Sequence, residues 1–189
     1  MRVPDERTAC KTPVHAASFE PDRVMTTADI PAALSHKILR GGAALSAVQQ
    51  LPRPLVFTNG VFDVLHPGHV VYLARARALG AALLVGLNSD SSARTQGKGP
   101  ERPLNNELDR ALVLAGLESV SGIILFHETT PVALLSRCRP DLYVKGGDYD
   151  MEKLEETRLV RSWGGQARAI EFLPGYSTTS LVKRIRAQS

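Results

Sequence analysis

The stretch that decides the fold is LVFTNGVFDVLHPGH, residues 55–69. Leu55, Val56 and Phe57 make a short apolar run, Asn59 and Gly60 end it, and Pro67 opens a segment that reads as a helix. An apolar run without alternation is how a strand buried on both faces reads, and proline suits the first position of a helix. His66 and His69 flank Pro67-Gly68 at that helix start. Unpaired backbone N–H groups and the positive end of the helix dipole favour an anion there. The imidazole N–H groups would add directed donors for phosphate oxygens. Gly68 is expected to let a phosphate approach the backbone, and Gly60 to do the same for a base or ribose. A two-histidine metal site is the competing reading, but no third His, Cys or carboxylate at helical spacing completes it.

Outward from this stretch the alternation repeats. The pattern predicts strands over 55–59, 82–87, 122–126, 142–145 and 168–172. It predicts helices over 67–79, 106–117, 131–137, 151–163 and 178–186, with a further short helix over 43–50 and a polar loop over 88–103. Regular strand-helix alternation implies an α/β fold, a doubly wound five-stranded parallel sheet that binds ligands at the carboxyl ends of its strands. Residues 1–36 carry Pro4, Pro13, Pro21 and Pro31 with no apolar period, and are expected to be an irregular leader before one domain over 37–189.

Further blocks fall at strand ends. Asn88-Ser89-Asp90 follows the second strand, and the loop after it carries Arg94, Lys98 and Arg102 among Gly97 and Gly99. Such a loop can close over a triphosphate, with Lys98 and Arg102 as candidates for neutralising it, although a solvated loop explains each cation singly. Val144-Lys145-Gly146-Gly147-Asp148-Tyr149 ends the fourth strand. There Lys145 can reach a phosphate, Gly146 lets the backbone pass close to a ligand, and Asp148 can accept from ribose or sugar hydroxyls; a plain turn is the alternative. Ser177 and Thr178 open the last helix and form another corner suited to an anion, or Ser177 merely caps it.

Composition bounds the rest. Across 189 residues, 23 Lys and Arg against 19 Asp and Glu leave a net charge of +4, without the basic runs interleaved with aromatics that mark a nucleic-acid surface. Cys10 and Cys138 stand far apart without C-x-x-C spacing, which points to a reducing cytoplasm rather than zinc or disulfides. No apolar stretch approaches the ~18 residues of a membrane span, so no membrane partner is expected.

The segment from Gly60 to His69 resembles the G-x-F-D-x-x-H-x-G-H signature of the cytidylyltransferase-like nucleotidyltransferases, whose sheet is Rossmann-like. Asn88-Ser89-Asp90, the K-x-x-x-R-P-x-N loop from Lys98 to Asn105, the V-K-G-G-D-Y turn and Ser177-Thr178-Thr179 recur in this order in the branch that adenylylates heptose 1-phosphate. The resemblance covers residues 37–187. It implies transfer of AMP from ATP to a heptose 1-phosphate, in line with departing pyrophosphate, with Mg²⁺ accompanying ATP and no dedicated metal site. His66, His69, Lys98 and Arg102 would be catalytic. Thr58, Asn59, Gly60, Phe62, Gly68, Asn88, Lys145, Gly146, Asp148, Ser177 and Thr178 would hold the nucleotide. Asp63 would touch a sugar hydroxyl or a metal-bound water, or else cap its own turn.

The arginine of the R-T-x-G-I-S-T-T motif of glycerol-3-phosphate cytidylyltransferases is missing from Leu173–Thr179, which argues against that alternative. Family resemblance and a 106–117 helix apolar on more than one face predict a homodimer, with Arg110 a candidate for its interface. A separate sugar kinase would supply the 1-phosphate.

Overall fold

The computed structural model describes residues 25–97, 99, 101–147 and 149–188. Most of the expected leader, with Cys10, and the site candidates Lys98 and Asp148 lie outside the described residues. The chain forms a six-stranded sheet, every pair parallel: β1 (Ile38–Leu39), β2 (Leu55–Gly60), β3 (Ala82–Asn88), β4 (Gly122–Phe126), β5 (Leu142–Gly146) and β6 (Gln166–Ile170). Their order is β1-β4-β3-β2-β5-β6. The five expected strands are all present, the last two residues earlier than read. The addition is β1, two residues that pair Ile38 with Ile123 at the sheet edge. So short a strand has no period of its own and exists because the edge of β4 accepts it.

Eight helices lie among the described residues: α1 (Ala32–Ser35), α2 (Ala44–Gln49), α3 (Pro67–Arg77), α4 (Asp90–Arg94), α5 (Glu107–Ala115), α6 (Val132–Cys138), α7 (Glu155–Arg161) and α8 (Thr178–Arg186). Helix α4 occupies ground expected to be loop. It forms because Ser89 caps it, its hydroxyl accepting from the Ser92 N–H at 3.2 Å. The single helix expected over 151–163 is instead a 3-10 turn, Met151–Lys153, followed by α7. In the expected leader, Ile30 and Leu34 pack against the core.

Leu55, Val56, Phe57 and Thr58 of β2 are fully buried, as are Leu83, Leu84 and Val85 of β3, which is why neither strand alternates in sequence. One face of the sheet packs against α3 and α5 through Leu73, Ala76, Ala111 and Leu114. The other packs against α2, α6 and α7 through Val48, Leu135 and Val160. From β2 the chain steps outward to β3 and β4, then returns to the opposite side of β2 with β5. The carboxyl ends of β2 and β5 therefore flank the topological switch point, where the crossovers diverge and leave a crevice.

Candidate active site

Above the switch point lies a cleft of about 1050 Å³, and its centre is the turn from β2 into α3. His66 precedes α3 in extended backbone and its imidazole stacks on His69, ring centroids 3.9 Å apart and planes at 22°. Phe62, held at φ 47°, meets the His69 ring edge-on at 5.5 Å, and Tyr176 lies parallel to His66 at 6.4 Å. Burial holds the His66 pKa below its ordinary value and so favours the neutral ring. Its Nδ1 atom is buried with no hydrogen-bond partner among the described residues. A ring nitrogen so placed calls for a partner, and a phosphate oxygen over the start of α3 would supply one.

Gly60 and Gly68 both line the cleft, and each also leaves room for a neighbouring ring. A Cβ at Gly68 would stand 2.9 Å from His66 Cε1, and one at Gly60 3.0 Å from Phe62 Cε2. They leave space for the imidazole and for the ring that props His69, so they shape the site from beneath.

Asp63 takes the turn-holding alternative. Its carboxylate accepts from the backbone N–H groups of Leu104 (2.8 Å) and Asn105 (2.9 Å) and from Arg102 Nη1 (2.7 Å), while Asn105 Nδ2 donates to the Asp63 carbonyl at 2.6 Å. Burial opposes its ionisation, but the Asn105 and Leu104 N–H groups and the Arg102 guanidinium outweigh it and hold the carboxyl below its ordinary pKa. The Arg102 side chain is thereby fixed at the cleft wall.

Behind this latch Arg110, 1% exposed, ties three segments together. Its Nη1 donates to the Val61 carbonyl (2.6 Å), its Nε to the Asn105 carbonyl (3.0 Å) and its Nη2 to Asp90 (2.7 Å). Arg110 is thus buried against the chain's own groups and is no interface residue. Its spacing of four from the core residue Leu114 was the available signal.

On the β5 side Asn59 Oδ1 accepts from both Lys145 Nζ and the Tyr143 hydroxyl, each at 3.1 Å. Lys145 Nζ also stands 5.5 Å over the Tyr149 ring. Thr58 is a correction: it is fully buried and does not line the cleft, its hydroxyl standing 2.6 Å from that of Tyr72. Tyr72 donates in turn to the Val144 carbonyl at 3.3 Å. Neighbouring residues of a strand face opposite sides, so Thr58 turns towards Tyr72 of α3 while Asn59 turns towards Tyr143 and Lys145. The pair Thr58 and Tyr72 instead clamps α3 to β2 and β5, and burial pushes the Tyr72 hydroxyl up to about 12.

Asn88 lines the floor and holds α4, its Nδ2 donating to Ser92 Oγ at 2.9 Å. Ser177 caps α8 by accepting from the Ser180 N–H at 3.1 Å, and Thr178 donates to the Val64 carbonyl at 3.3 Å, which docks α8 beside the histidine turn. Gly146 completes the wall near Phe172. Arg94 is exposed at the end of α4 and does not line the cleft. Sequence reasoning missed Lys183 and Arg186 of α8 and Glu156 of α7, all of which line it. The α8 cations lay in a stretch read only as a helix, where the signal was taken from its start at Ser177 and Thr178. Among the described residues no group of three or more His, Cys, Asp or Glu side chains comes together as a metal site, and no helix is long and apolar enough to cross a membrane.

The cytidylyltransferase-like family model matches residues 57–184, which span the histidine turn, the latch and the start of α8. D-beta-D-heptose 1-phosphate adenylyltransferase of Bordetella bronchiseptica is 55% identical over 82% of this chain and 97% of its own length. The bifunctional protein HldE of Magnetococcus marinus is 50% identical over 71% of this chain, which spans only 27% of that longer protein. Among solved structures, a lipopolysaccharide core biosynthesis protein of Thermoplasma volcanium superposes with a TM-score of 0.53 at 30% identity, over 63% of this chain and 95% of its own. With a family model covering more than half of its length and a near-complete relative at this identity, the chain belongs to the cytidylyltransferase-like nucleotidyltransferase family.

Proposed function

We propose that the chain transfers the adenylyl group of ATP to a heptose 1-phosphate, giving ADP-heptose and pyrophosphate. The stacked His66–His69 pair over the start of α3, at the switch-point cleft, carries the chemistry of this reading. The acceptor follows from likeness to the Bordetella relative. An oxygen of the sugar phosphate attacks the α-phosphorus, and the bond from that phosphorus to the oxygen bridging it to the β-phosphorus breaks. The attacking oxygen is already anionic at neutral pH, so no general base is needed. The obstacle is charge, which preorganised donors and cations offset.

His66 and His69 stabilise the reacting phosphate, while Arg102, Lys183 and Arg186 face the departing pyrophosphate, joined by Lys98 from the loop. Asn59, Lys145, Gly146 and Asp148 hold the nucleotide beside the end of β5. Mg²⁺ accompanying ATP would help to offset the phosphate charge, and Asp63, committed to its latch, would not be needed to hold it. A sugar kinase supplies the 1-phosphate. The enzyme acts as a homodimer, a reading supported by Val113, 54% exposed on α5, and Leu104, 49% exposed just before it.

Pyrophosphate release with ATP or CTP, against heptose 1-phosphate and glycerol 3-phosphate, tests this. ATP with heptose 1-phosphate should exceed CTP by at least about tenfold in kcat/KM, roughly 1.4 kcal/mol. Equal use of CTP would return the enzyme to the cytidylyltransferase reading.

A further inference from the structure

A second hollow adjoins the cleft at the end of β5. It holds about 560 Å³ and is lined by Gly146, Gly147, Tyr149, Glu171, Phe172 and Pro174, of which Gly146, Tyr149 and Phe172 line the main cleft as well. Two of its walls are rings that the fold leaves open: Tyr149 is 49% exposed and Phe172 51%. Phe172 is nevertheless fixed in place. A Cβ at Gly146 would collide with its Cε1 atom, and one at Gly147 would stand 3.0 Å from its Cε2. The ring thus lies along the backbone of the two glycines, and Tyr72 meets it edge-on, centroids 5.8 Å apart and planes at 62°. The backbone leading into it is pinned, since the Ile170 carbonyl accepts from the Gly147 N–H at 2.9 Å and the Glu171 carbonyl from Arg75 Nη1 at 3.0 Å. Gly147, at φ 110°, needs glycine for its own backbone, but Gly146 has no such need. Glycine weakens a strand, and at Gly146 what it secures is the seat of this ring. A ring so held and still half in water gains apolar burial only when something covers its open face.

Charge narrows what that cover can be. Among the residues that line the hollow Glu171 alone is charged, and it is an acid, so a phosphate finds no partner there. The imidazoles and cations suited to phosphate line the main cleft instead. Of the parts of a nucleotide, the base is uncharged, planar and apolar on its faces. Lys145 and Gly146, assigned above to the nucleotide, stand where the two spaces meet, Gly146 lining both and the Lys145 ammonium lying over the Tyr149 ring. We propose that Phe172 is the platform on which the adenine of ATP stacks, with Tyr149, across Gly147 from it, as the second wall of the slot. Two fused rings cover more of a phenyl face than one, so the contact favours adenine over cytosine and makes Phe172 a determinant of the nucleotide preference. The inference rests on the adenylyltransferase reading above and deepens it.

The test uses the full chain with Phe172→Ala, Phe172→Tyr and Phe172→Trp. Each substrate, heptose 1-phosphate or MgATP, is varied at saturating amounts of the other, and thermal unfolding is followed alongside. For Phe172→Ala, KM for ATP should rise by roughly tenfold, within the range that stacking of a base on an aromatic ring is worth. KM for the sugar phosphate should stay within about twofold, and the preference for ATP over CTP should shrink. Phe172→Tyr, which restores a ring, should recover most of the loss. Phe172→Trp gives a signal that needs no turnover. Its emission is read against the wild type, whose single tryptophan, Trp163, donates to the Pro140 carbonyl. AMP should quench the added emission, while ribose 5-phosphate and heptose 1-phosphate should not.

A raised KM for the sugar phosphate with that for ATP unchanged would give the ring to the acceptor and overturn the proposal. Both KM values unchanged in Phe172→Ala, with or without a lowered Tm, would do the same and mark a ring of structural use only. Absence of quenching by AMP in a folded Phe172→Trp would overturn it directly. The adenylyltransferase reading fails separately, on wild-type protein alone, if ATP releases no pyrophosphate with a sugar 1-phosphate or if CTP serves equally well. The AMP titration of Phe172→Trp then still decides whether a base lies on this ring.

Discussion

At the scale of single residues, the site depends on two imidazoles held against each other. Replacing His66 or His69 by alanine removes a donor aimed at the reacting phosphate. Each variant should lose about 10² to 10³ in kcat, equivalent to roughly 2.7–4 kcal/mol of transition-state stabilisation, with the fold intact. Single-turnover pyrophosphate release with circular dichroism on the same samples measures both, and near-normal turnover in either folded variant would remove the histidines from the mechanism. Asp63 makes a different kind of prediction. Its carboxyl is held below the ordinary 3.8, so the folded state favours the ionised form. That contribution is complete above about pH 4 and is lost as pH falls through the lowered folded value. Urea midpoints of the wild type should therefore drop on acidification in this range. Asp63→Asn should flatten that part of the profile, and a slope unchanged by the substitution would show that the latch does not contribute.

At the scale of elements, Arg110 of α5 joins the β2–α3 turn, the loop before α5 and the start of α4. Removing it would leave two carbonyls and the partly buried Asp90 carboxylate without their donor. Truncating one partner of a buried ion pair costs about 3–5 kcal/mol. Arg110→Met keeps the apolar stem and should still lower stability by about that much in denaturant unfolding. Arg110→Lys should recover only part, since one ammonium cannot serve three directions. A loss under about 1 kcal/mol for Arg110→Met would mean that the segments are held mainly by packing.

At the scale of the whole molecule, the proposed homodimer is open to light scattering across micromolar concentrations, where a mass of one chain throughout would reject it. Val113→Asp on the exposed side of α5 should shift the equilibrium towards monomer without unfolding the protein. The alternation of buried strands and helices could be read directly, because β2 to β5 are apolar runs set by burial on both faces, a property local to each run. The histidine turn was equally legible, since a helix start carries its own electrostatics. Which residues face the cleft was decided elsewhere. Thr58 and Asn59 are adjacent and equally polar, and only the pairing of Thr58 with Tyr72 settles which of them reaches the site. Gly68 reads as room for a phosphate, and only the fold shows that the His66 ring needs a glycine there as well. Arg110 reads as an interface candidate until three distant segments converge on it, and nothing along the chain marks Glu156 as a residue that lines the cleft. Periodicity and turn chemistry act over a few neighbouring residues and so are written along the chain. Burial of a polar side chain and the identity of its partners depend on contacts between segments far apart in sequence, and these come into being only when the sheet closes around its switch point.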